Sequence, residues 1–358
     1  MTSYPRASID LQGIRENAAR MKEMCEDRDI ELTGVVKGSA GNLKVAEAFV
    51  EGGVDSLGDS RLRNIERFRR EGIEAEFMLL RLPDPEEADR TVELADISLN
   101  SEIVTLKALS RAAEKKGIKH RVIIMVDVGD LREGIMQDSA AEFFSQALNL
   151  SGIDVLGLGT NVGCYGGVLP TYDNTHELID LRSILEEKLS CQLPVISGGN
   201  TATTILMEKE KMPAEINNLR VGEGIIQGTD ITHQRSLKDF NRNNITVSAR
   251  IIELKEKPSK PRGELGRDAF GGKPEFKDKG LRRRAILAIG RQDVRVDGLY
   301  PSADGAEIIG ASSDHLLVDV TDIERTVKTG DIMEFKADYG AMLAAMTSPY
   351  LEKVYLPE

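Results

Sequence analysis

Between residues 31 and 222, short apolar runs alternate with segments whose apolar positions recur at helical spacing. Eight of the runs read as strands: 32–37, 54–57, 76–80, 96–99, 121–128, 154–160, 193–197 and 218–221. Between them lie amphipathic stretches such as 43–51, 60–71, 102–116, 139–150, 175–189 and 201–210. Eight strand-then-helix repeats predict an α/β protein built on a (β/α)8 TIM barrel. A doubly wound open sheet is the competing architecture, but no GxGxxG follows the first strand, so its dinucleotide fingerprint is missing.

After about residue 240 the texture changes. The runs 245–254, 285–289, 307–310, 316–320 and 332–335 are strand-like and are separated by Gly, Pro, Asp and Ser. They predict a smaller, mainly β C-terminal domain over 239–358, following a barrel over 11–238. The segment Ala7-Ser8-Ile9-Asp10 reads as a strand, within residues 1–10, donated to that second domain. Residues 255–282, rich in Lys, Pro, Gly and Glu, read as a long irregular excursion.

Composition narrows the class. A formal net charge of −12 without a long basic run argues against nucleic acid or an anionic membrane as partner. The cluster Arg282-Arg283-Arg284 is the exception and reads as a solvated flank before an apolar strand. Three scattered cysteines without a CxxC pair indicate neither a disulfide framework nor a structural zinc site. Together with an N-terminus lacking an apolar segment, they predict a reduced, cytoplasmic protein. Four histidines at unhelpful spacing predict no metal site.

Barrel chemistry sits at the C-terminal ends of the strands. Lys37 closes the run Thr33-Gly34-Val35-Val36 there, where desolvation lowers an amine's pKa toward a nucleophile. Ser197-Gly198-Gly199-Asn200-Thr201 is a glycine turn leading into a helix, suited to an anion. Leu219-Arg220-Val221-Gly222-Glu223-Gly224 adds a strand-end arginine and glycines that let backbone N–H groups approach a phosphate.

The order of these motifs resembles the alanine racemase superfamily, the fold type III enzymes of pyridoxal 5'-phosphate (PLP). Ala7-Ser8-Ile9-Asp10-Leu11 with Asn17 resembles the family's N-terminus, and Val35-Val36-Lys37 resembles its PLP-lysine motif. The run from Met125 to Arg132 resembles the substrate-arginine segment. Asn200-Thr201 and Arg220-Val221-Gly222 resemble the phosphate turn and the arginine segment under the pyridine ring. In the second domain, Ile289-Gly290-Arg291-Gln292-Asp293, Ser312-Ser313-Asp314-His315 and Tyr339 resemble catalytic, substrate and phosphate-binding segments. The resemblance implies Lys37 as PLP anchor and base, with Asn161, Asn200, Thr201, Arg220, Gly222 and Tyr339 around the cofactor. It implies Arg132, Arg291 and Asp293 toward substrate, and a homodimer with composite sites.

Departures from the family pattern bear on function. Arg291 stands where the family has the tyrosine that serves as second base, and an arginine stays protonated. Asn161 replaces a cofactor-stacking histidine, Gly41 a tyrosine and Met125 a modified lysine. This variant set looks like the subgroup that includes ornithine racemase. The second base is then sought among His315, Asp314, Cys164 and Tyr165, with His315 favoured because histidine changes charge near neutrality. Asp130, Asp293 and Asp314 are candidates to hold a side-chain ammonium, as a basic amino acid requires. The resemblance also leaves open a D-amino-acid lyase or dehydratase, and a non-catalytic PLP-binding homeostasis protein.

Overall fold

A computed structural model describes residues 4–273 and 275–357. It divides into two compact units, one running Leu11–Arg242 and the other joining the N-terminal residues up to Asp10 to Asn243–Glu358. The junction lies between residues 242 and 243, slightly beyond the 238 expected from composition.

The first unit is a closed parallel barrel whose eight strands all fall on the predicted runs. They are β2 (Glu31–Val35), β3 (Ser56–Asp59), β4 (Glu76–Leu79), β5 (Ile97–Asn100), β6 (His120–Met125), β7 (Ile153–Gly159), β8 (Val195–Ser197) and β9 (Asn218–Val221). Helices α1 (Leu11–Glu26), α2 (Leu43–Glu51), α3 (Leu62–Arg70), α4 (Ala88–Leu94), α5 (Ile103–Lys116), α6 (Gln137–Leu148), α7 (Tyr172–Leu189), α8 (Thr204–Glu208) and α9 (Glu223–Gln227) belong to the same unit. Strand β9 closes on β2 with Thr33 opposite Arg220, so the first and last strands carry neighbouring side chains.

With no tryptophan in the chain, the barrel fills with aliphatic groups. Met78, Ile97, Leu99, Ile123 and Met125 form one buried cluster on adjacent strands. Met125 therefore serves packing at the position where the family carries a modified lysine. On the β2, β3, β8 and β9 side the filling is polar. Ser56 Oγ donates to Thr33 Oγ1 at 2.9 Å, and Asn218 Nδ2 donates to the same oxygen at 3.2 Å. Ser197 Oγ donates to Asn218 Oδ1 and accepts from the Arg220 guanidinium. Such a chain is stable in a barrel only because its buried members find partners.

The second unit is an eight-stranded sheet. The N-terminal segment is a strand as expected: β1 (Arg6–Ile9) lies antiparallel to β12 (Ile245–Pro258) and parallel to β18 (Glu352–Tyr355). Strand β12 also pairs with β13 (Leu281–Leu287) beyond a bulge and with β17 (Ile332–Ala337) before it. Strands β14 (Leu299–Pro301), β15 (Glu307–Ala311) and β16 (Leu316–Asp319) complete it, with α10 (Tyr339–Thr347) after β17. A two-strand ribbon, β10 (Thr229–Asp230) with β11 (Arg235–Ser236), belongs to the barrel unit.

Two expectations change here. The excursion begins later and ends earlier than read, because β12 continues to Pro258 and β13 starts at Leu281. Arg282, Arg283 and Arg284 are strand residues of β13 rather than a solvated flank. Arg282 Nε meets Asp319 at 2.7 Å, while Arg283 and Arg284 donate to the carbonyls of Val327 and Ser259 at 3.1 and 2.8 Å. Arg282 thus meets the carboxylates of Asp319 and Asp322, while its two neighbours lean on neutral carbonyls.

Asn17, 1% exposed on α1, ties the barrel's end to its start. Its Nδ2 donates to Ile225 and Asn241 carbonyls at 3.0 and 2.8 Å, and its Oδ1 accepts from Asn241 N–H at 2.7 Å. Asn17→Ala should destabilise the fold by roughly 2–4 kcal/mol, since buried backbone groups lose partners. Denaturant titration should show a lower midpoint at unchanged slope; an unchanged midpoint would contradict the bridging role.

Candidate active site

Lys37 follows β2 after the single residue Val36 and opens a 3-10 turn, Lys37–Ser39, at the barrel's C-terminal end. The turn is held by Ser39 Oγ donating to Val36 carbonyl at 2.8 Å. Burial holds the Lys37 amine below its ordinary value, and the guanidinium charges of Arg132 and Arg220 push it the same way. Cys164 and Glu133 act in the opposite sense. Residues from three other strand ends, those of β6, β7 and β9, therefore converge on one amine.

Arg132 comes from the loop after β6, the strand opposite β2 in the closed order. Burial works against its charge, yet a two-pronged ion pair with Glu133 holds its pKa above the usual value. A third arm lies 2.9 Å from Cys164 Sγ. The guanidinium thus stands at the mouth already oriented. Arg220, on β9, is 5% exposed and has no carboxylate within ion-pair distance among the described residues. It donates to Thr160 carbonyl at 2.6 Å and to Ser197, and burial pulls its guanidinium down to about 10.

The phosphate-type turns form as expected. Asn200 caps the turn after β8, its Oδ1 accepting from Ala202 N–H at 2.8 Å, and its Nδ2 donates to Asn161 Oδ1 and Val162 carbonyl. Thr201 Oγ1 accepts from Gly224 N–H at 3.2 Å, linking the two glycine turns. A Cβ on Gly222 would sit 2.9 Å from Val35 carbonyl, so only glycine lets β9's end lie this close to the strand that leads into Lys37. Asn161 keeps a buried, unpartnered Nδ2 beside this turn.

Asp130 does not serve as an ammonium partner. It is 1% exposed, and its carboxylate accepts backbone N–H groups of Cys164, Tyr165 and Val168 at 3.3, 2.9 and 3.3 Å. It is the clasp that shapes the loop presenting Cys164. Both Cys164 and Tyr165 are exposed. Three other histidines are accounted for structurally: His120 bonds Ser98 on the helix-facing side of the barrel wall at 2.8 Å, His176 stacks on Tyr172, and His233 pairs with Asp230. Burial lowers His120 to about 4, so it stays neutral.

Within the second unit, His315 Nδ1 lies 3.0 Å from Asp314 Oδ1, and both side chains are open to solvent. Hydrogen bonds from Ser312, His315 and Ser313, with the charge of His315, outweigh slight burial and hold the Asp314 carboxyl below its ordinary value. Asp293 turns Oδ2 to Gly290 N–H at 2.7 Å, and burial raises its pKa. Arg291 lies over the Phe270 ring at 5.1 Å and 3.8 Å from Asp297. Tyr339 opens α10, whose N-cap Asp338 accepts from Ala341 N–H at 2.7 Å.

One residue escaped the sequence reading. Asp59, at the end of β3, is 1% exposed and carries a buried Oδ2 without a hydrogen-bond partner. Its Oδ1 accepts from Arg61 N–H at 2.8 Å and Asn64 Nδ2 at 3.0 Å. Burial drives its carboxyl up to about 6 against those bonds. It lies between the strand run 54–57 and the helical stretch 60–71 and belonged to neither reading.

The sequence profile of the alanine racemase N-terminal domain matches residues 9–229. The chain is 42% identical to an ornithine racemase of Acetoanaerobium sticklandii over 99% of its own length and 100% of the relative's. It is likewise 42% identical to a lysine racemase of Thermotoga maritima, over 99% of each chain. An alanine racemase structure from Bartonella henselae, with covalently bound pyridoxal phosphate, superposes with a TM-score of 0.75 at 16% identity, covering 99% of this chain and 100% of that one.

Asp59 generates a stability prediction. Its folded pKa of about 6 exceeds the ordinary 3.8, so ionisation costs stability, and the cost grows as pH rises from about 4 to above 6. Asp59→Asn removes that dependence. The unfolding free energy of the variant relative to wild type should improve by on the order of 2 kcal/mol between pH 4 and pH 7.5. Parallel pH dependences in chemical denaturation would contradict the burial of an ionised group here.

Proposed function

We propose that this chain, which belongs to the alanine racemase family, is a PLP-dependent racemase of a basic amino acid such as ornithine or lysine. The observation that carries the reading is the desolvated amine of Lys37, facing Arg132 and Arg220 across the mouth of a barrel. The full-length identity to racemases of two diamino acids supports the substrate class.

The residues suit the cofactor. Arg220 is a buried cation served only by neutral oxygens, which leaves it matched to an acceptor such as a pyridine nitrogen. The Asn200-Thr201 and Gly222 turns offer backbone N–H groups to a phosphate. Asn161, with its buried unpartnered Nδ2 beside the Asn200 turn, would be a further residue to hold the cofactor. When bound, PLP supplies the electron sink for a carbanion at the substrate's α-carbon. The chain's own residues do the remaining work. Arg132, set in place by Glu133, pairs with the substrate carboxylate as a planar fork. Lys37, kept less basic by burial, takes the α-proton on one face and returns it.

The opposite face needs a second carrier, and here we assign His315, oriented by Asp314 and supplied by a second copy of the chain in a homodimer. Arg291 and Asp293 of that copy bear on the substrate: an arginine donates and orients but does not take the proton. Asp314 and Asp293 are the carboxylates proposed for the distal ammonium. Three free cysteines suit a reducing compartment, and we place the reaction in the cytoplasm.

Single L-amino acids incubated with the protein in deuterated water, followed by chiral chromatography, test the activity. Ornithine or lysine should racemise with α-deuterium uptake, and Lys37→Ala should lower the rate by at least about 10³-fold; exchange with neither substrate would contradict the assignment. Lys37→Ala and His315→Ala should each be inactive alone and regain activity when mixed and reassociated. If His315→Ala alone retains full activity in both directions, the second carrier lies elsewhere.

A further inference from the structure

Asp59 and Lys37 occupy neighbouring rungs of the barrel's parallel ladder. Val36 N–H donates to Gly58 carbonyl at 3.0 Å and Val35 lies opposite Gly58, which sets Asp59 level with Val36, one residue before Lys37. Asp59 is also fixed from its other side, since its carbonyl accepts from Leu80 N–H at 2.9 Å. The carboxylate cannot turn freely, because Arg61 N–H and Asn64 Nδ2 hold Oδ1.

Asn64 in turn packs against the Lys37 loop. A Cβ at Gly41, where φ is +72°, would lie 2.7 Å from Asn64 Cγ and Oδ1, so the loop closes only with glycine there. The arrangement is a frame: the Lys37 loop rests on Asn64, Asn64 orients Asp59, and Oδ2 is left buried with no donor. A buried carboxylate oxygen without a donor costs stability, and the natural donor of matching charge is an ammonium.

With Lys37 taken, as in the proposed function, to be the cofactor amine and base, we propose that Asp59 is its positioning residue, Oδ2 accepting a hydrogen bond from the ε-ammonium whenever Lys37 holds a proton. While Lys37 holds the proton it stays on Nζ until it is returned to the substrate, and Asp59 supplies negative charge without taking it. This makes the amine a stronger base at the moment it receives the α-proton, and it holds the ammonium on one side of the mouth.

The surrounding charges leave this role open. Around Lys37 stand Arg132 and Glu133 from the β6 loop, Cys164 from the β7 loop and Arg220 on β9. Of these, Glu133 is committed to Arg132, and the two arginines both oppose an ammonium. Around Asp59, the donors from β3 and α3 are Ser60, Arg61 and Asn64, and the charge that favours its ionised form is Lys37 itself.

The test measures the amine directly. The full chain, stripped of cofactor, is labelled competitively with trace acetic anhydride across pH, and acetylation of Lys37 is read by mass spectrometry. Asp59→Asn keeps the Oδ1 acceptor and removes the charge; it should lower the Lys37 labelling midpoint by about one pH unit or more. Asn64→Ala disturbs the frame but keeps the charge, and should shift the midpoint by much less. An unchanged midpoint in Asp59→Asn, or an equal fall in Asn64→Ala, overturns the proposal. Absence of racemisation in the wild type would overturn the proposed function while leaving this labelling comparison to stand on its own.

Discussion

Positive charge taken out of water is the constraint around which the barrel mouth is arranged. Lys37, Arg132 and Arg220 converge there, and only Arg132 has a carboxylate of its own in Glu133. Burying cations without partners is expensive, and proteins tolerate it where a function uses the perturbed groups. The polar filling under β2, β3, β8 and β9 follows from that need. Ser197 accepts from Arg220 because its own hydroxyl proton is committed to Asn218, and Asn218 is held by Thr33. Replace that chain with aliphatic groups and Arg220 loses much of its support. The aliphatic cluster of Met78, Ile97, Leu99, Ile123 and Met125 is thus confined to the other side of the barrel.

The same constraint explains how the loops are built. The glycines at 41 and 222 let backbone approach Asn64 and Val35 more closely than any side chain permits. Asp130 accepts from three backbone N–H groups, so it shapes a loop, and its charge also favours the guanidinium of Arg132. Two buried carboxylates at one mouth thereby divide the work. Asp130 is satisfied and fixes geometry; Asp59 is half-satisfied and, on our proposal, answers to the charge of Lys37. The stability that Asp59 costs is of the kind functional sites carry.

Much of the fold was legible because strand and helix periods differ. All eight barrel strands overlap their predicted runs, and the resemblance carried by Lys37, Asn200-Thr201 and Arg220 fell on strand ends. Strands β14 and β18 were not seen, since three or four residues such as Leu299–Pro301 leave too short an alternation to register. Helix α10 was missed because its run of Ala and Met shows no polar face. Arg282 to Arg284 misled because their compensating partners lie far along the chain, at Asp319, Val327 and Ser259. Asp59 was overlooked and Asp130 misjudged for one reason: a residue's type does not tell which way its carboxylate turns, and only the packing of β3, α3 and the β6 and β7 loops decides it.

Every role assigned at the mouth depends on Lys37, and no other lysine, being the amine that joins the cofactor. The full chain incubated with PLP, reduced with borohydride and digested, can be mapped by mass spectrometry for the reduced cofactor adduct. A single stoichiometric adduct on the peptide containing Lys37 is the expected result. An adduct on another lysine with Lys37 unmodified, or no adduct at all, would contradict it.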